Sequence, residues 1–541
     1  MSRGKRWAVA ALVAVAVLGV AAGFWWAENM TGVTIAHGPV QTLDPQDLVH
    51  PGDHRVRVVD DHRDALMTRL QLIADARETI DISSYIWRND RSGRAVFAAL
   101  LAAARRGVRV RLLGDGIFFQ RDLGVARAMA GAHPDLALRY YNLMADEVAA
   151  LDPGILDEVL TEFASFNHRM HIKVLIIDRQ RVLLGGRNIG DEYFGLNQEY
   201  NFIDRDVVVT GPLVDTARKA FAVYWHSDRS VDPRTAADMA VEPAAIDWSA
   251  ARIEPDPAAI GERWYRPERA AVVFDPLPAS DIGAALEEPQ RCARALGGLI
   301  RSTQRQVAME TPYVILSGYM QRLFSGLRSR EQKPAITVWT NSLAAAVTWH
   351  GYVGFQHQLP ELVLELGFDI RLQQPQALRE LATDEPTRVA MHSKTFLVDD
   401  RWAAIGSYNL DPRSGRWNSE ILLIVDDHAL TSDLQRDFAR RSAVTHNWVV
   451  ARRRDPDAPE PEGWAAQLDL PDGEAIQERL GLLRRVSCFA LDCDEPVPPG
   501  SPRFYECYRD VGLFPEVGEQ TRKNVFTRLL APVGDQLAPV L

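Results

Sequence analysis

Two histidine–lysine pairs occur in the same local pattern, 221 residues apart. His171 and Lys173 stand two positions apart before a run of apolar residues, and so do His392 and Lys394. Side chains two apart on a strand point to the same face, so each imidazole is predicted to lie beside an ammonium group. A neutral imidazole can attack phosphorus, a protonated one can donate to a leaving oxygen, and lysines stabilise the charge of the transition state. The pattern predicts phosphodiester chemistry that requires no metal and no other cofactor.

These pairs belong to an internal repeat of 29 positions that aligns without a gap. Downstream of each pair come an aspartate, a glycine or serine, an asparagine and a glutamate, at identical offsets. Carboxamides suit the non-bridging oxygens of a phosphate, and each glutamate is predicted to fix the tautomer of a histidine ring. The candidate catalytic residues are His171, Lys173, Asp178, Asn188, Glu199, His392, Lys394, Asp399, Asn409 and Glu420, and the candidate substrate-binding positions are Gly186 and Ser407.

Two features of the repeat allow a plainer interpretation. Asp178 and Asp399 directly follow a strand, where an aspartate is often only a turn former, so a turn role and a supporting role in catalysis are both open. A zinc site at His168 and His171 is disfavoured, because the repeat places Val389 opposite His168 and does not duplicate the pair.

Helices and strands alternate in the same order in both halves of the chain. Runs of branched apolar residues predict strands, and alanine-rich or amphipathic stretches predict the helices between them. Because a strand, a helix and a strand in succession favour parallel pairing, each half is predicted to contain a parallel sheet. The predicted elements are strand 79–86, helix 93–106 and strand 108–113 in the first half, and strand 307–314, helix 319–330 and strand 336–339 in the second.

The paired HxKxxxxD motifs, with their asparagine and trailing glutamate, resemble the phospholipase D superfamily. The segments GGRNIGDEYFG, TNSLAA and GSYNLDPRSGRWNSE are similar to bacterial cardiolipin synthases, especially their shorter third type, over about residues 60 to 445. The resemblance implies two tandem α/β/α sandwich domains with a pseudo-twofold axis and one active site between them. It implies that His171 is the nucleophile and that His392 is the acid and then the base. His350 and Tyr352 resemble family positions near the substrate, although the aspartate that often follows the alanine pair is absent.

The first 27 residues predict a membrane anchor. A basic start is followed by Trp7 to Ala27, 21 residues without a charge, which is long enough to cross a bilayer as a helix. The positive-inside rule places the N-terminus in the cytoplasm and the catalytic domains on the periplasmic or outer side of the inner membrane, as a single-pass protein. A cleaved signal peptide is the alternative, but Trp25 and Trp26 are typical of a membrane interface rather than of a cleavage site.

The chain divides into several segments beyond the anchor, some of which carry open questions. The acidic insert at 144–166 is predicted to be a surface helix, with a lid over the site as the alternative. The four cysteines are Cys292, Cys488, Cys493 and Cys507; a disulfide among the last three is permitted outside the cytoplasm, and a Cys488–Cys493 bond is the short option among open pairings. The predicted segments are anchor 1–27, tether 28–62, first phospholipase D-like domain 63–240, linker 241–270, second domain 271–445 and a C-terminal extension of unknown role, 446–541.

Together these features predict a membrane-bound phosphatidyltransferase that acts on phospholipids, with phosphatidylglycerol as the expected substrate and cardiolipin as the product. Transfer to water would instead give phosphatidic acid. A nuclease of the same superfamily would share the motifs, but the net charge of −11 argues against a nucleic-acid partner. A non-catalytic membrane scaffold would not need two complete motifs, and the sequence implies no obligate protein partner.

Overall fold

The computed structural model describes eight stretches of the chain: residues 40–116, 123–142, 168–235, 243–277, 289–347, 349–378, 388–455 and 485–516. The predicted anchor, the acidic insert and the side chain of His350 lie outside what is described. Within these eight stretches, no helix has both the length and the apolar character needed to cross a membrane.

The first half of the chain forms an eight-stranded mixed sheet. The strands of this half are β1 (His50–Pro51), β2 (Arg55–Val59), β3 (Thr79–Ser84), β4 (Arg109–Asp115), β5 (Leu136–Tyr141), β6 (Val174–Ile177), β7 (Arg181–Gly185), β8 (Tyr200–Ile203), β9 (Asp206–Thr210) and β10 (Ser230–Val231). Two of them, β1 and β8, lie outside this sheet and pair with strands of the second half. The order across the sheet is β10-β5-β4-β3-β6-β7-β9-β2. β3, β4 and β5 are parallel, as predicted, while β6, β7, β9 and β2 run antiparallel to their neighbours.

The second half repeats this sheet strand for strand and extends it. Its strands are β11 (Arg269–Phe274), β12 (Gln306–Glu310), β13 (Ala335–Asn341), β14 (Phe368–Gln373), β15 (Arg388–Met391), β16 (Thr395–Val398), β17 (Trp402–Gly406), β18 (Ile421–Asp426), β19 (Asn447–Arg452), β20 (Val486–Leu491) and β21 (Tyr508–Gly512). The order is β1-β11-β18-β17-β16-β12-β13-β14-β19-β20-β21. The eight strands from β19 to β11 match the eight strands of the first sheet in order, so the duplication covers a whole α/β unit.

Helices connect the strands of both sheets. Several begin at an aspartate that caps the first turn: the Asp90 carboxylate accepts the Gly93 N–H at 2.9 Å, and the Asp427 carboxylate accepts the Leu430 N–H at 2.7 Å. The helices are α1 (Pro45–Leu48), α2 (His62–Asp75), α3 (Arg91–Arg105), α4 (Leu123–Ala130), α5 (Leu213–Trp225), α6 (Arg291–Arg301), α7 (Gly318–Arg328), α8 (Trp349–Leu364), α9 (Pro412–Arg416), α10 (His428–Arg441) and α11 (Phe504–Cys507), with 3-10 turns at Asp191–Tyr193, Ser249–Ala251 and Pro257–Ala259.

A tight hairpin follows each histidine–lysine pair, and its turn contains the aspartate of the motif. Asp178 and Asp399 adopt left-handed φ angles of 50° and 52°. The Asp178 carboxylate accepts the backbone N–H groups of residues 77–79 at 2.7–2.9 Å, and the Asp399 carboxylate accepts those of residues 304–306 at 2.8–3.0 Å. Both lie at the opposite end of the strand from the histidine. The turn role is therefore the one they fill, and the catalytic role predicted for them is wrong.

The segment predicted as a tether is folded from residue 40 onwards. The Leu43 N–H donates to the Arg294 carbonyl of α6 at 3.1 Å, β1 pairs with β11, and β2 pairs with β9. The prediction failed because β2 contains only five residues and follows a Pro-Gly turn signal. The chain therefore contacts the second half before it enters the first.

The C-terminal segment continues the second sheet. β19 occupies the place that β10 has in the first sheet, and β20 and β21 add two antiparallel strands beyond it. A disulfide joins Cys493 to Cys507, while Cys488 is a buried thiol in β20, so the short Cys488–Cys493 option is not the pairing formed. The described part of this segment is an edge of the second sheet.

The two halves pack together through the inner faces of β7, β9, β17 and β18, which share one apolar core. A buried guanidinium crosses this interface. Arg205 of the first half donates to Glu310 at 2.8 Å and to Asp437 at 2.9 Å, both in the second half, and to Asp60 at 2.7 Å. Because a buried charge is costly without partners, this network links the halves in one arrangement.

Candidate active site

Two short parallel pairings between the halves bring the repeated motifs together. β8 pairs with β15, which places Ile203 opposite Met391. An isolated bridge pairs Met170 with Ser419 in the same parallel sense. The residues that come next on the paired chains are His392 and Asp204 on one side, and His171 and Glu420 on the other. Each half therefore presents its histidine to a carboxylate of the other half.

His171 is held by Glu420. Its Nδ1 lies 2.8 Å from Oε2 of the carboxylate, which also accepts the hydroxyl protons of Ser407 and Ser414. A carboxylate partner assigns the ring proton to Nδ1 and leaves Nε2 available for chemistry. Burial raises the pKa of Glu420 to about 7, against the opposing effect of the charge on Lys173.

His392 is held by Asp204 in the matching arrangement. Its Nδ1 lies 2.6 Å from Oδ2 of the carboxylate. Burial alone would raise the pKa of Asp204, but positive charge at His392 and Lys394 outweighs it and holds that pKa below its usual range. A Cβ at Gly186 would lie 2.1 Å from Oδ1 of Asp204, so only glycine leaves room for the carboxylate. At the matching position in the second half, Ser407 bonds the carboxylate instead.

The ungapped alignment had assigned this role to Glu199. That prediction is wrong, because Glu199 is exposed and the carboxylate on His392 belongs to Asp204. The sheet register explains the error: the first copy contains five more residues than the second between the asparagine and the carboxylate. A glutamate happens to occupy the aligned position within that longer loop.

The two lysines lie buried beside the histidines. Lys173 Nζ donates to the backbone carbonyl of His171 at 2.8 Å and faces the ring of Tyr85 at 5.3 Å. Lys394 Nζ lies 3.0 Å from Nδ1 of His392 and also contacts its carbonyl oxygen. Burial lowers the pKa of Lys173 to about 7 and that of Lys394 to about 8. Both ammonium groups are thus in a site that would gain from a bound anion.

Both imidazoles are neutral in the free site near pH 7. Burial lowers the pKa of His392 to about 3 and keeps that of His171 well below its ordinary value. The positive charges of Lys173 and Lys394 act in the same direction on both rings. A neutral ring with its proton on Nδ1 carries a lone pair on Nε2, which is the form that a nucleophile requires.

The two asparagines hold loops next to the site. Asn188 accepts the Ile86 N–H at 3.1 Å and donates to the Tyr193 hydroxyl at 2.9 Å. Asn409 contacts the Tyr313 hydroxyl through Nδ2 at 3.5 Å. Its Oδ1 is buried and makes no hydrogen bond with the residues that the structure describes. Each carboxamide retains an N–H that a phosphate oxygen could accept.

Of the two other candidate substrate residues, Tyr352 lies elsewhere. It is 3% exposed and packs on Phe355 within the apolar core of the second half, where burial raises the pKa of its hydroxyl well above the ordinary value. The substrate-binding role predicted for Tyr352 is therefore wrong. The side chain of His350 is not among those described.

The histidines of the zinc alternative do not converge. His168 Nδ1 lies 3.1 Å from the Trp417 carbonyl oxygen, and burial lowers the pKa of this ring to about 4. His171 bonds Glu420 instead. Across the described stretches, no three His, Cys, Asp or Glu side chains are grouped so that they could hold a metal ion.

Several residues of the site were not found from the sequence. Asp204 and Glu420 are equivalent in the strand register, because each lies two residues before the residue that pairs with the last glycine of the preceding strand, Gly185 or Gly406. The others carry no repeated signal, since they occur in one half only. They are Tyr85, whose ring lies 4.9 Å from that of His171, Tyr313, Arg413 and Ser414.

Comparison with known proteins agrees with this geometry. Residues 70–225 and 296–442 match the family model described as "Cardiolipin synthase, PLD-like domain". The chain belongs to this family. Both histidines and both carboxylates of the site lie within the matched ranges, one of each in either half. The chain is therefore a phospholipase D-like enzyme.

Curated relatives and a solved structure extend this result. The chain is 31% identical over 421 residues to cardiolipin synthase C of Escherichia coli (strain K12), covering 72% of this chain and 85% of that protein. It is 22% identical over 434 residues to the major cardiolipin synthase ClsA of Bacillus subtilis (strain 168), covering 75% of each. The crystal structure of phosphatidylserine synthase from Haemophilus influenzae Rd KW20 superposes with a TM-score of 0.51 at 16% identity, covering 73% of this chain and 87% of that one. The last similarity shows a shared fold.

The choice between the two candidate carboxylates is testable by paired substitutions. Asp204→Asn should lower kcat about a hundredfold or more, because a carboxamide can donate to Nδ1 as well as accept from it and so no longer fixes the tautomer of the His392 ring. Glu199→Gln, which makes the same chemical change on an exposed loop, should stay within about twofold of wild type. Steady-state kinetics on folded protein measures both. A large loss in Glu199→Gln together with an active Asp204→Asn would contradict the register.

Proposed function

We propose that this enzyme transfers a phosphatidyl group from one glycerophospholipid to a hydroxyl of a second, and that it makes cardiolipin from phosphatidylglycerol. The observation that supports this most directly is the pair of neutral imidazoles, each held through Nδ1 by a carboxylate of the opposite half. Two available Nε2 atoms beside two buried lysines suit a phosphodiester that reacts in two steps. The family membership supports a phospholipid as the substrate.

In the proposed first step, Nε2 of His171 attacks phosphorus and the P–O bond to the leaving alcohol breaks. The leaving oxygen takes a proton from Nε2 of His392, and the phosphatidyl group remains on His171 as a phosphohistidine. In the second step the incoming hydroxyl gives its proton to His392, its oxygen bonds phosphorus, and the P–N bond breaks. Lys173 and Lys394 hold the non-bridging oxygens throughout.

The low pKa of the free imidazoles is compatible with an acid role for His392. A bound phosphodiester adds a negative charge next to both rings and both lysines, which raises the pKa of every one of these groups. The free site disfavours an additional proton on His392 first because the ring is buried, and then because the positive charge of Lys394 repels the proton. Substrate binding thus supplies the condition under which His392 carries the proton that the leaving oxygen needs.

We also propose that residues 7–27 anchor the enzyme in the inner membrane, with the catalytic halves on the outer side. The support is the uncharged segment itself and the basic residues before it. The described chain begins on the surface of the second half, where the Tyr319 hydroxyl donates to the Gln41 carbonyl at 3.1 Å.

The lipid product distinguishes the proposed transfer from hydrolysis and from reaction with other phosphodiesters. Detergent-solubilised enzyme incubated with phosphatidylglycerol in the presence of EDTA should yield cardiolipin and free glycerol in equal amounts, measured by lipid mass spectrometry. Phosphatidic acid without cardiolipin would show a hydrolase. Absence of any lipid product would contradict the proposal and direct the search to other phosphodiesters, nucleic acid first.

The identity of the nucleophile can be settled by trapping. In His392→Ala, a phosphodiester with a good leaving group should react without the acid, and the intermediate should then persist because no base activates the acceptor. Phosphorylation of His171, located by mass spectrometry of the digested protein, is the expected result. His171→Ala should trap nothing. Label on His392 in the His171→Ala variant would reverse the two roles.

The pKa values of the two lysines predict how kcat/KM changes at alkaline pH. Both pKa values are lowered, to about 7 and about 8, so the charge that binds the phosphate is present at lower pH and is lost as the pH rises through these values. The kcat/KM, which reports the free enzyme, should therefore fall between about pH 7 and 9. Lys394→Arg should remove the part of this fall near pH 8 and leave the part near pH 7 that belongs to Lys173, because a guanidinium stays charged. Lys219→Arg, at an exposed position of α5, is the control, and an unchanged pH profile in Lys394→Arg would refute the assignment.

A further inference from the structure

Arg413 is a cation at the site that the structure leaves uncommitted. It lies on α9, one residue before Ser414, whose hydroxyl bonds the Glu420 carboxylate at 2.6 Å. Its charge contributes to the low pKa of His171, so the guanidinium is within electrostatic reach of that ring. Its Nε is buried and has no hydrogen-bond partner among the described residues. Its charge also acts on the carboxyl of Asp411 at the N-cap of the same helix, whose pKa is raised by burial to about 7.

The surroundings of Arg413 form a polar wall beside the histidine. Its charge also acts on the hydroxyl groups of Tyr85 and Tyr313, where burial is the largest influence and raises each pKa. The Tyr313 hydroxyl contacts Asn409, whose Oδ1 is itself buried without a partner in the described structure. An uncommitted guanidinium and an uncommitted carboxamide oxygen thus occur together on one side of the site.

The matching position in the first half carries no cation. The position that matches Arg413 in the repeat is Glu192, in the 3-10 turn that corresponds to α9. Its carboxylate is buried and pairs with Arg88 at 3.3 Å, so the matching side carries a neutralised pair. The groups for the reacting phosphate are present in both halves, whereas Arg413 is present in one. Its role therefore lies outside the duplicated chemistry.

We propose that Arg413 binds the phosphodiester of the second lipid, the acceptor, and so favours an anionic phospholipid over water or a neutral alcohol. This rests on the proposed function. In cardiolipin only the three carbons of a glycerol separate the two phosphates, so the acceptor phosphate must lie next to the reacting one in the same pocket. Two neighbouring anions repel each other, and a guanidinium fork satisfies a phosphate with two parallel N–H donors.

A competition between two acceptors tests this inference. The enzyme is given phosphatidylglycerol, which serves as donor and anionic acceptor, together with ethanol as a small neutral acceptor. The ratio of cardiolipin to phosphatidylethanol reports acceptor choice, because both products arise from the same phosphohistidine. Arg413→Gln should lower this ratio about tenfold to a hundredfold, which corresponds to the loss of a charge-assisted phosphate contact.

The matched control is Arg416→Gln, which removes the same charge from the same short helix and should leave the ratio within about twofold of wild type. Arg413→Lys keeps the charge without the fork and should lower the ratio less than Arg413→Gln does. If Arg413→Gln reduces both products in parallel, the residue serves the reacting phosphate or the fold, and the inference is overturned. If the wild-type enzyme forms phosphatidylethanol but no cardiolipin, the proposed function fails first, whatever the variants do.

Discussion

The contact between each imidazole and a carboxylate of the opposite half is the constraint on which the rest of the site depends. It exists because β8 pairs with β15 and Met170 pairs with Ser419, so that the residue after each paired segment lies beside a residue of the other half. Neither half alone supplies both a histidine of the site and the carboxylate that holds its Nδ1. The single site therefore requires the duplicated sheets to pack in one relative position, and the buried Arg205 network holds them there.

This arrangement concentrates charge in a place from which water is largely removed. Two lysines, His171 and two carboxylates are buried together with the partly buried His392, and each unpaired buried charge would cost several kcal/mol. Mutual pairing offsets part of that cost. The part that is not offset shows in the pKa values: those of both lysines and both imidazoles are lowered, and that of Glu420 is raised. An anionic phosphodiester relieves the positive side of this imbalance. The same burial that makes the free site costly therefore favours the substrate's charge.

The sequence was sufficient for the duplicated α/β units, the histidine–lysine pairs and the hairpins that carry them, because these depend on local periodicity. It was insufficient wherever a role depends on register between distant strands. Glu199 aligned with Glu420 without a gap, yet five extra residues in the first copy make Asp204 the partner of His392. Tyr352 stood in a family-like context but faces the core. The cross-half pairings that decide these cases leave no periodic trace in the chain.

The positions at which the two halves differ are the ones that can determine which acceptor reacts. A leaving alcohol and an entering alcohol meet the same acid–base group in reverse order, so a duplicated core serves both steps equally and cannot by itself select the acceptor. Selection must come from groups present in one half. The difference between Gly186 and Ser407 concerns only how each carboxylate fits. Gly186 leaves room for Asp204, and Ser407 bonds the longer Glu420. The second half has a cation, Arg413, where the first half has the Arg88–Glu192 ion pair, so the two halves offer a ligand different charges. A difference in charge is what separates an anionic lipid from water.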